Sequence, residues 1–252
     1  MKKKIAWNKT NTIILGIMIV VIAGIGHRQE SNVAQEEKTT IETDESVITD
    51  DNVITDTDVI CKGTVQRSVV HVAAENYMGS GLIWQVTKEA VVVATSRHLI
   101  DTAQTVTVEI AGEDYPAQII GRSPQYDVAF LEITNEELPE GLMAAKIPAS
   151  EKEWQESTYL GTDVWQYSAA EKEEEHTGYI VDETFVAEFN CELLVTKCYV
   201  KAGMSGGGVF DAEGTLLGMI VGGATANEAE ETYSLSSWII EKEYENLLQN
   251  RD

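Results

Sequence analysis

The chain has 252 residues, enough to bury a sizeable core in one two-part domain or two small ones. Its 18 Lys and Arg stand against 42 Asp and Glu, for a formal net charge of −24. A surface this acidic repels phosphate backbones, which argues against nucleic acid as a partner. Cys61, Cys191 and Cys198 allow at most one disulfide, whose pairing stays open, and their spacing matches no metal site. We expect no metal and no cofactor.

The N-terminus is basic and then apolar. Four lysines precede an uncharged run from Thr12 to Gly26, about 15 residues long. This is short for a membrane span and fits either a signal-peptide core or a signal anchor. We favour an uncleaved anchor, because no clear Ala-x-Ala cleavage site follows. The lysines predict a cytoplasmic N-terminus, so residues 1–28 would form a single-pass anchor in the cell membrane, with the rest of the chain extracellular.

Residues 29–60 are acidic, rich in Ser and Thr, and free of aromatic side chains. Such a segment cannot bury enough apolar surface to offset its ordering entropy, which predicts a disordered linker. Val47-Ile48-Thr49-Asp50 is repeated at Val53-Ile54-Thr55-Asp56. This repeat has two interpretations: a strand that docks on another surface, or a similarity that arose by sequence drift in the linker. A folded domain is predicted for residues 61–252.

Short apolar runs separated by Gly, Pro, Asn and Asp fill most of this domain, a pattern typical of β-strands. They form two series, which predicts two packed β-barrels at about 64–150 and about 157–236. The polar stretch from Pro148 to Glu156 is the predicted joint. Helical periodicity is predicted only at 237–249, as a C-terminal helix. The fold class is therefore all-β.

The strongest local signal is Gly203-Met204-Ser205-Gly206-Gly207-Gly208. Glycines on both sides of Ser205 allow a sharp turn and a close approach by another chain. In such a turn the N–H groups of Gly203 and Ser205 can converge into an oxyanion hole for acyl transfer. A glycine-rich turn with an incidental serine would look the same, so the motif needs a partner.

A serine nucleophile needs a neighbouring base, and the chain has four histidines. His27 borders the predicted anchor, His71 fits a core side chain, and His176 follows three glutamates, which predicts a solvated role. His98 instead ends the β-branched run Val91–Thr95, at a corner suited to aiming a base.

Such a base needs an acceptor that fixes its tautomer. Asp127 opens the apolar run Asp127–Ile133, which would hold its carboxylate beside the core. A turn residue at the entry of a strand is the alternative interpretation of Asp127.

The order His98, Asp127, Ser205 resembles chymotrypsin-fold, trypsin-like serine proteases of the Deg or HtrA branch. The matching segments are Gly79–Ile83, Ala94–Asp101, Tyr126–Leu131, Gly203–Gly207 and Leu216–Ile220. The resemblance implies two six-stranded antiparallel barrels with the triad in the cleft between them. It also implies a specificity pocket with Tyr199 at its floor and Val221, Gly222 and Gly223 as a wall.

No acid occupies the floor position, so small or medium apolar residues are the expected substrates, and the two glycines would let a substrate strand pair with the cleft edge. Met204 stands where the family usually has Asn or Asp, and Gly208 replaces a frequent proline, which should loosen the turn. The chain ends soon after its terminal helix, so no PDZ domain is expected. The linker also lacks the aromatics that Deg relatives use to trimerise, and the oligomeric state stays open.

The sequence therefore predicts a membrane-anchored extracytoplasmic serine endopeptidase that acts on proteins or peptides through an acyl-enzyme. One alternative is a catalytically silent chymotrypsin-fold module that binds peptides or partners. An esterase using the same triad is another, although the α/β-hydrolase version has a different chain order, Ser, Asp, His.

Overall fold

The computed structural model describes residues 56–75, 77–134, 138–169, 173–224 and 228–250. The helices are α1 Asp56–Ser68, α2 Arg97–Ile100, α3 Glu151–Ser157 and α4 Ser237–Gln249. The first six strands are β1 Val69–Ala74, β2 Tyr77–Val86, β3 Val91–Thr95, β4 Val106–Ile110, β5 Glu113–Arg122 and β6 Ala129–Ile133. The others are β7 Asp163–Ala169, β8 Glu173–Val186, β9 Cys191–Lys197, β10 Val200–Lys201, β11 Gly208–Phe210, β12 Leu216–Gly223, β13 Glu228–Ala229 and β14 Thr232–Ser236.

Strands β1 to β6 form a closed antiparallel barrel in the order β1-β2-β3-β6-β5-β4. Its interior is filled by branched apolar side chains, among them Val72, Ile83, Val93 and Leu131, each no more than 1% exposed. All five residues of β3 are buried, because both faces of the strand are covered: Val91 and Val93 pack in the barrel interior, and Val92 and Ala94 pack in a cluster shared by the two barrels.

A second closed barrel has the strand order β11-β12-β14-β9-β8-β7. Its core includes Leu194, Val209, Leu217 and Ile220. The prediction of an all-β fold with two six-stranded barrels and a C-terminal helix is confirmed.

The terminal helix α4 packs on both barrels. Ser236 caps it by accepting a hydrogen bond from the Trp238 N–H at 3.2 Å. Ile240 and Tyr244, one turn apart, face inward, and the Tyr244 hydroxyl donates to Gln85 Oε1 of β2 at 2.6 Å. The helix therefore contacts strands of both barrels.

Three helices were not predicted, and the shortest, α2, is a single turn at the corner that carries His98. α1 begins at Asp56, four residues before the predicted end of the linker at residue 60, and continues through the predicted strand onset at Thr64. Its sequence has little helical periodicity, and it is held by tertiary contacts, such as that of Lys62 with Glu175 at 2.5 Å. The predicted joint folds as α3, where the Ser150 hydroxyl accepts from the Glu153 N–H.

The predicted anchor at 1–28 and most of the linker lie outside the described residues. Among the helices that the structure describes, none has the length and apolar character needed to cross a bilayer.

Candidate active site

His98 and Asp127 form a tight pair at one end of the first barrel. His98 Nδ1 lies 2.6 Å from Asp127 Oδ2, and the His98 backbone N–H donates to Asp127 Oδ1 at 2.8 Å. Both carboxylate oxygens are thus engaged by a single residue. The Asp127 side chain is 13% exposed and that of His98 is 47% exposed, so the carboxylate lies beneath the ring and the ring faces the cleft.

The backbone around this pair is fixed by its neighbours. β3 ends at Thr95, and α2 turns the chain so that His98 leaves the barrel wall. Before Asp127, the Ser123 hydroxyl accepts hydrogen bonds from the amides of Gln125 and Tyr126. Arg97 joins the two segments, because its Nη1 donates to the Ser123 carbonyl at 2.6 Å.

Ser205 lies in a turn between β10 and β11. Gly203, with φ of 94°, lets the chain enter that turn, and Gly206, with φ of 84°, lets it leave. The Gly206 N–H donates to the Ile220 carbonyl, and the Gly207 carbonyl accepts from the Ile220 N–H, both at 2.8 Å. The turn is therefore fastened to β12 on one side of Ser205.

The first barrel holds the other side of this turn. The Ser80 N–H donates to the Ser205 carbonyl at 2.8 Å. A Cβ on Gly79 would overlap Leu99, the neighbour of His98, and would lie 2.9 Å from the Ser205 carbonyl oxygen. Ser205 and the turn that carries His98 therefore meet across Gly79, in the groove between the two barrels.

The amides of Gly203 and Ser205 are available to a ligand. Neither N–H donates to a protein acceptor within the part of the chain that the structure describes. Two free backbone donors beside a serine are the elements of an oxyanion hole.

Met204, between these two donors, is 1% exposed, and its Sδ accepts from the Lys201 N–H at 3.4 Å. The unusual side chain therefore anchors the turn in the second core. Gly208, which was predicted to loosen the turn, is the first residue of β11 and pairs with Tyr167 of β7. A Cβ there would lie 2.4 Å from the ring of Phe210, which would have to move.

The four predicted pocket residues have different roles in the structure. Val221 is 3% exposed and packs into the core, so only its backbone faces the groove. The ring of Tyr199 packs on His176, with ring centroids 4.8 Å apart. Val200, the residue after Tyr199, makes the contact with Gly223. A Cβ built on Gly223 would overlap Val200 Cγ1.

Two residues near the groove had no signal in the sequence. Val200 is adjacent to the predicted floor residue and touches the Gly223 wall. Phe189, at the tip of the β8–β9 hairpin, packs on Gly222. Phe189 is 33 residues from Gly222 in the chain, so only the fold could show this contact.

The other described histidines are elsewhere. His71 Nδ1 lies 3.8 Å from Glu109 Oε2 on the wall of the first barrel. The His176 side chain is 27% exposed and lies 3.4 Å from Glu174 Oε2, so the predicted solvated role is wrong, because Tyr199 covers its ring.

Cys191 and Cys198 are free thiols, and burial raises the pKa of both. The Asp127 carboxylate further raises the pKa of Cys191. Within the described ranges, no three His, Cys, Asp or Glu side chains are grouped to hold a metal ion.

Known proteins resemble this chain in sequence and in fold. A family model described as a trypsin-like peptidase domain matches residues 79–219, a range that includes His98, Asp127 and Ser205. The periplasmic serine endoprotease DegP of Salmonella typhimurium is 28% identical over 152 residues, which is 56% of this chain and 29% of DegP. DegP of Escherichia coli K12 matches over the same shares. The chain thus spans under a third of the length of these curated relatives.

Solved structures of similar fold include the inactive form of Rv3671c from M. tuberculosis H37Rv, crystallised as a serine-to-alanine mutant. It has a TM-score of 0.62 and 18% identity, over 82% of this chain and 98% of that one. The inactive form of the Rv3671c protease has a TM-score of 0.59 and 19% identity, over 74% and 92%. At this identity the likeness concerns the fold.

Proposed function

Because the chain belongs to the trypsin-like peptidase domain family, we propose that it is a serine endopeptidase with Ser205 as nucleophile, His98 as base and Asp127 as the residue that orients the base. The resemblance drawn from the sequence is confirmed at the level of the family. The triad, the substrate preference and the membrane tether are our proposals.

One observation carries the proposed triad: the His98 ring is held at 2.6 Å by a carboxylate that is itself fixed by the His98 amide. A carboxylate at Nδ1 favours the tautomer with its proton there, which leaves Nε2 free to accept a proton from a hydroxyl. The same carboxylate stabilises the imidazolium that forms next.

The chemistry then follows the usual course of acyl transfer. His98 removes the Ser205 hydroxyl proton as Ser205 Oγ bonds to the substrate carbonyl carbon, and the carbonyl oxygen becomes an oxyanion. The Gly203 and Ser205 N–H groups stabilise that charge, an effect worth about 3 to 4 kcal/mol per donor in sites of this kind. His98 gives the proton to the leaving amine, and water then releases the acyl group by the reverse sequence.

The contact between Val200 and Gly223 supports a preference for small apolar residues before the scissile bond. A Cβ on Gly223 would overlap Val200 Cγ1, so the two segments are in contact, and a pocket bounded by them would hold only a short side chain. Lys201, the residue after Val200, is paired with Glu174 at 2.6 Å.

We propose that the protein is tethered to the cell membrane by residues 1–28, with the peptidase domain outside. The support is the sequence of lysines followed by an apolar run. An acidic linker would keep the domain away from an anionic membrane surface by charge repulsion.

The test is hydrolysis of an unstructured protein substrate by the purified full-length chain in detergent. Wild type should release peptides and Ser205→Ala should release none. Ser168→Ala, a buried serine of the same barrel, is the matched control and should retain activity. Equal activity of wild type and Ser205→Ala would contradict the proposal.

A further inference from the structure

The β8–β9 hairpin, far from the triad in the chain, ends at the cleft. Its tip is the four residues 187–190, closed by hydrogen bonds from the Phe189 and Asn190 amides to the Val186 carbonyl. Asn190 has φ of 55°, which directs the chain into β9. The tip is therefore a fixed turn rather than a long loop, and the position of Phe189 is preset.

The ring of Phe189 rests directly on Gly222. A Cβ built on Gly222 would lie 3.0 Å from Phe189 Cζ, and every atom within 4 Å of that Cβ belongs to this ring. Tyr233, opposite Gly222 on β14, meets the ring edge-on, with centroids 6.3 Å apart. An aromatic side chain thus occupies the space that a side chain at position 222 would otherwise fill.

Gly222 lies on the edge of β12 that faces the cleft. Strand β11 pairs with this edge as far as Met219, and the nucleophile turn uses both backbone groups of Ile220. Beyond Ile220, no described strand pairs with that edge. A substrate segment can add there as an antiparallel strand.

The direction of side chains in such a pairing is fixed. Residues directly opposite each other in an antiparallel pair project to the same face, with Cβ atoms about 5 Å apart. If the residue whose carbonyl is attacked lies beside Val221, the preceding substrate residue lies opposite Gly222. Its side chain then falls on the Phe189 ring.

We propose that Phe189 forms a specificity subsite for an apolar side chain at the substrate residue that immediately precedes the one whose carbonyl is attacked. This inference rests on the proposed function, since it requires a substrate strand at the cleft. Phe189 is half-buried, so part of its apolar surface is open to a ligand, and Tyr233 supports it from behind.

The position of the hairpin along the cleft agrees with this subsite. Cys191 follows the tip directly and belongs to the same buried cluster as Val128, the residue after Asp127, and Phe189 packs against that cluster.

The test uses two peptides that differ only at this residue, Leu in one and Ser in the other, with Val at the cleaved position. The full-length wild type should cleave the Leu peptide with a kcat/KM roughly 10-fold higher, the discrimination expected of one apolar pocket. Phe189→Ala should bring the ratio close to one, and Phe189→Leu should keep most of it. Phe185→Ala is the matched control, because Phe185 lies on the same hairpin, in β8, but is 58% exposed, and it should keep the wild-type ratio.

A serine-reactive fluorophosphonate separates the possible failures. If Phe189→Ala is labelled like wild type but keeps its preference for Leu, the subsite is overturned and the proposed peptidase stands. A wild-type ratio near one overturns the subsite as well, whatever the variants do. Failure of the wild type to label would overturn the proposed function, and the subsite with it. If Phe189→Ala does not fold, Phe189→Gln decides, and its ratio should also fall.

Discussion

The backbone N–H of Ser80 donates a 2.8 Å hydrogen bond to the carbonyl oxygen of Ser205. Ser80 belongs to the first barrel and Ser205 to the turn of the second, so one bond sets the nucleophile against the barrel that carries the base. The Ser80 carbonyl accepts from Thr95 Oγ1 at 2.7 Å, and its hydroxyl accepts from the Ala169 N–H at 2.9 Å. The position of Ser205 relative to His98 therefore depends on this contact.

Gly206→Ala tests that dependence. A Cβ at Gly206 would overlap the Ser80 carbonyl oxygen, so the turn must move away from the first barrel, and we expect loss of fluorophosphonate labelling. Gly112→Ala is the control, because Gly112 has the same φ of 84° with nothing within 4 Å of its Cβ. It should cost only the 1 to 2 kcal/mol or so of a left-handed alanine and keep full labelling. Equal labelling of folded Gly206→Ala and Gly112→Ala would show that the contact with Ser80 does not position Ser205.

Asp127→Asn tests the orientation of the base. The amide keeps the shape of the carboxylate but stabilises the wrong tautomer of His98, and turnover should fall by several orders of magnitude, about 10⁴ where this change has been made in such triads. The effects of Asp127→Asn and His98→Ala should not add, because the residues act as a unit. Initial rates of peptide hydrolysis for the single and double variants measure this. A double variant with the summed loss would show that the two residues act separately.

Val200→Ala tests the pocket. Removal of the two methyl groups opens the contact with Gly223, and the preference before the scissile bond should shift from Ala and Val toward Leu and Met. A peptide library with one varied position measures the shift. Val164→Ala removes the same atoms from the core of the second barrel and should leave the profile unchanged. Dominant cleavage after Lys or Arg by the wild type would show that the pocket lies elsewhere.

Alkaline pH should destabilise the fold through its buried acids. Burial raises the pKa of Cys198 from 9.0 to about 11. Between these values the unfolded chain loses the thiol proton and the folded chain keeps it, so stability is complete below pH 9 and falls as pH rises toward 11. At about 1.4 kcal/mol per unit, Cys198 contributes a loss of about 2 to 3 kcal/mol, and burial of Tyr167 acts in the same direction.

Urea unfolding of full-length wild type and Cys198→Ala at pH 8 and pH 10.5 measures the effect. The variant should lose less stability between the two pH values. A wild-type free energy of unfolding that rose with pH would have the wrong sign for this explanation.

The proposed topology has its own test. Protease added to intact cells should remove the domain beyond Arg28 and leave a small membrane fragment, because the lysines hold the N-terminus inside. A domain that stays intact until the cells are lysed would overturn the membrane tether without affecting the proposed chemistry.

Sequence periodicity was sufficient to predict the two β-barrels. Strands such as Val91–Thr95 are short, β-branched and bounded by turn residues, and these local properties decide their conformation. The histidine and aspartate were found because each sits at the end of such a strand, and their order completed the resemblance. A chymotrypsin-fold protease needs contact between its base and its aspartate, so the resemblance already predicts that His98 pairs with Asp127.

What the sequence could not predict depends on contacts between distant segments. Helix α1 forms where composition favours a linker, because it packs against the barrels through residues such as Val65. Phe189 looks like an ordinary hairpin residue until β12 is placed beside it. The position of Tyr199, six residues before Ser205, predicts the floor of the pocket. In the structure the adjacent Val200 makes the contact with the opposite wall at Gly223.

The most direct test of the central claim is fluorophosphonate labelling of the full-length chain, with the modified residue located by mass spectrometry. We predict one label per chain, on Ser205, with no labelling of Ser205→Ala and greatly slowed labelling of His98→Ala. His71→Ala and His176→Ala should be labelled like wild type. If the label were found on another serine, or if folded His98→Ala were labelled at the wild-type rate, the assignment of nucleophile and base would be wrong.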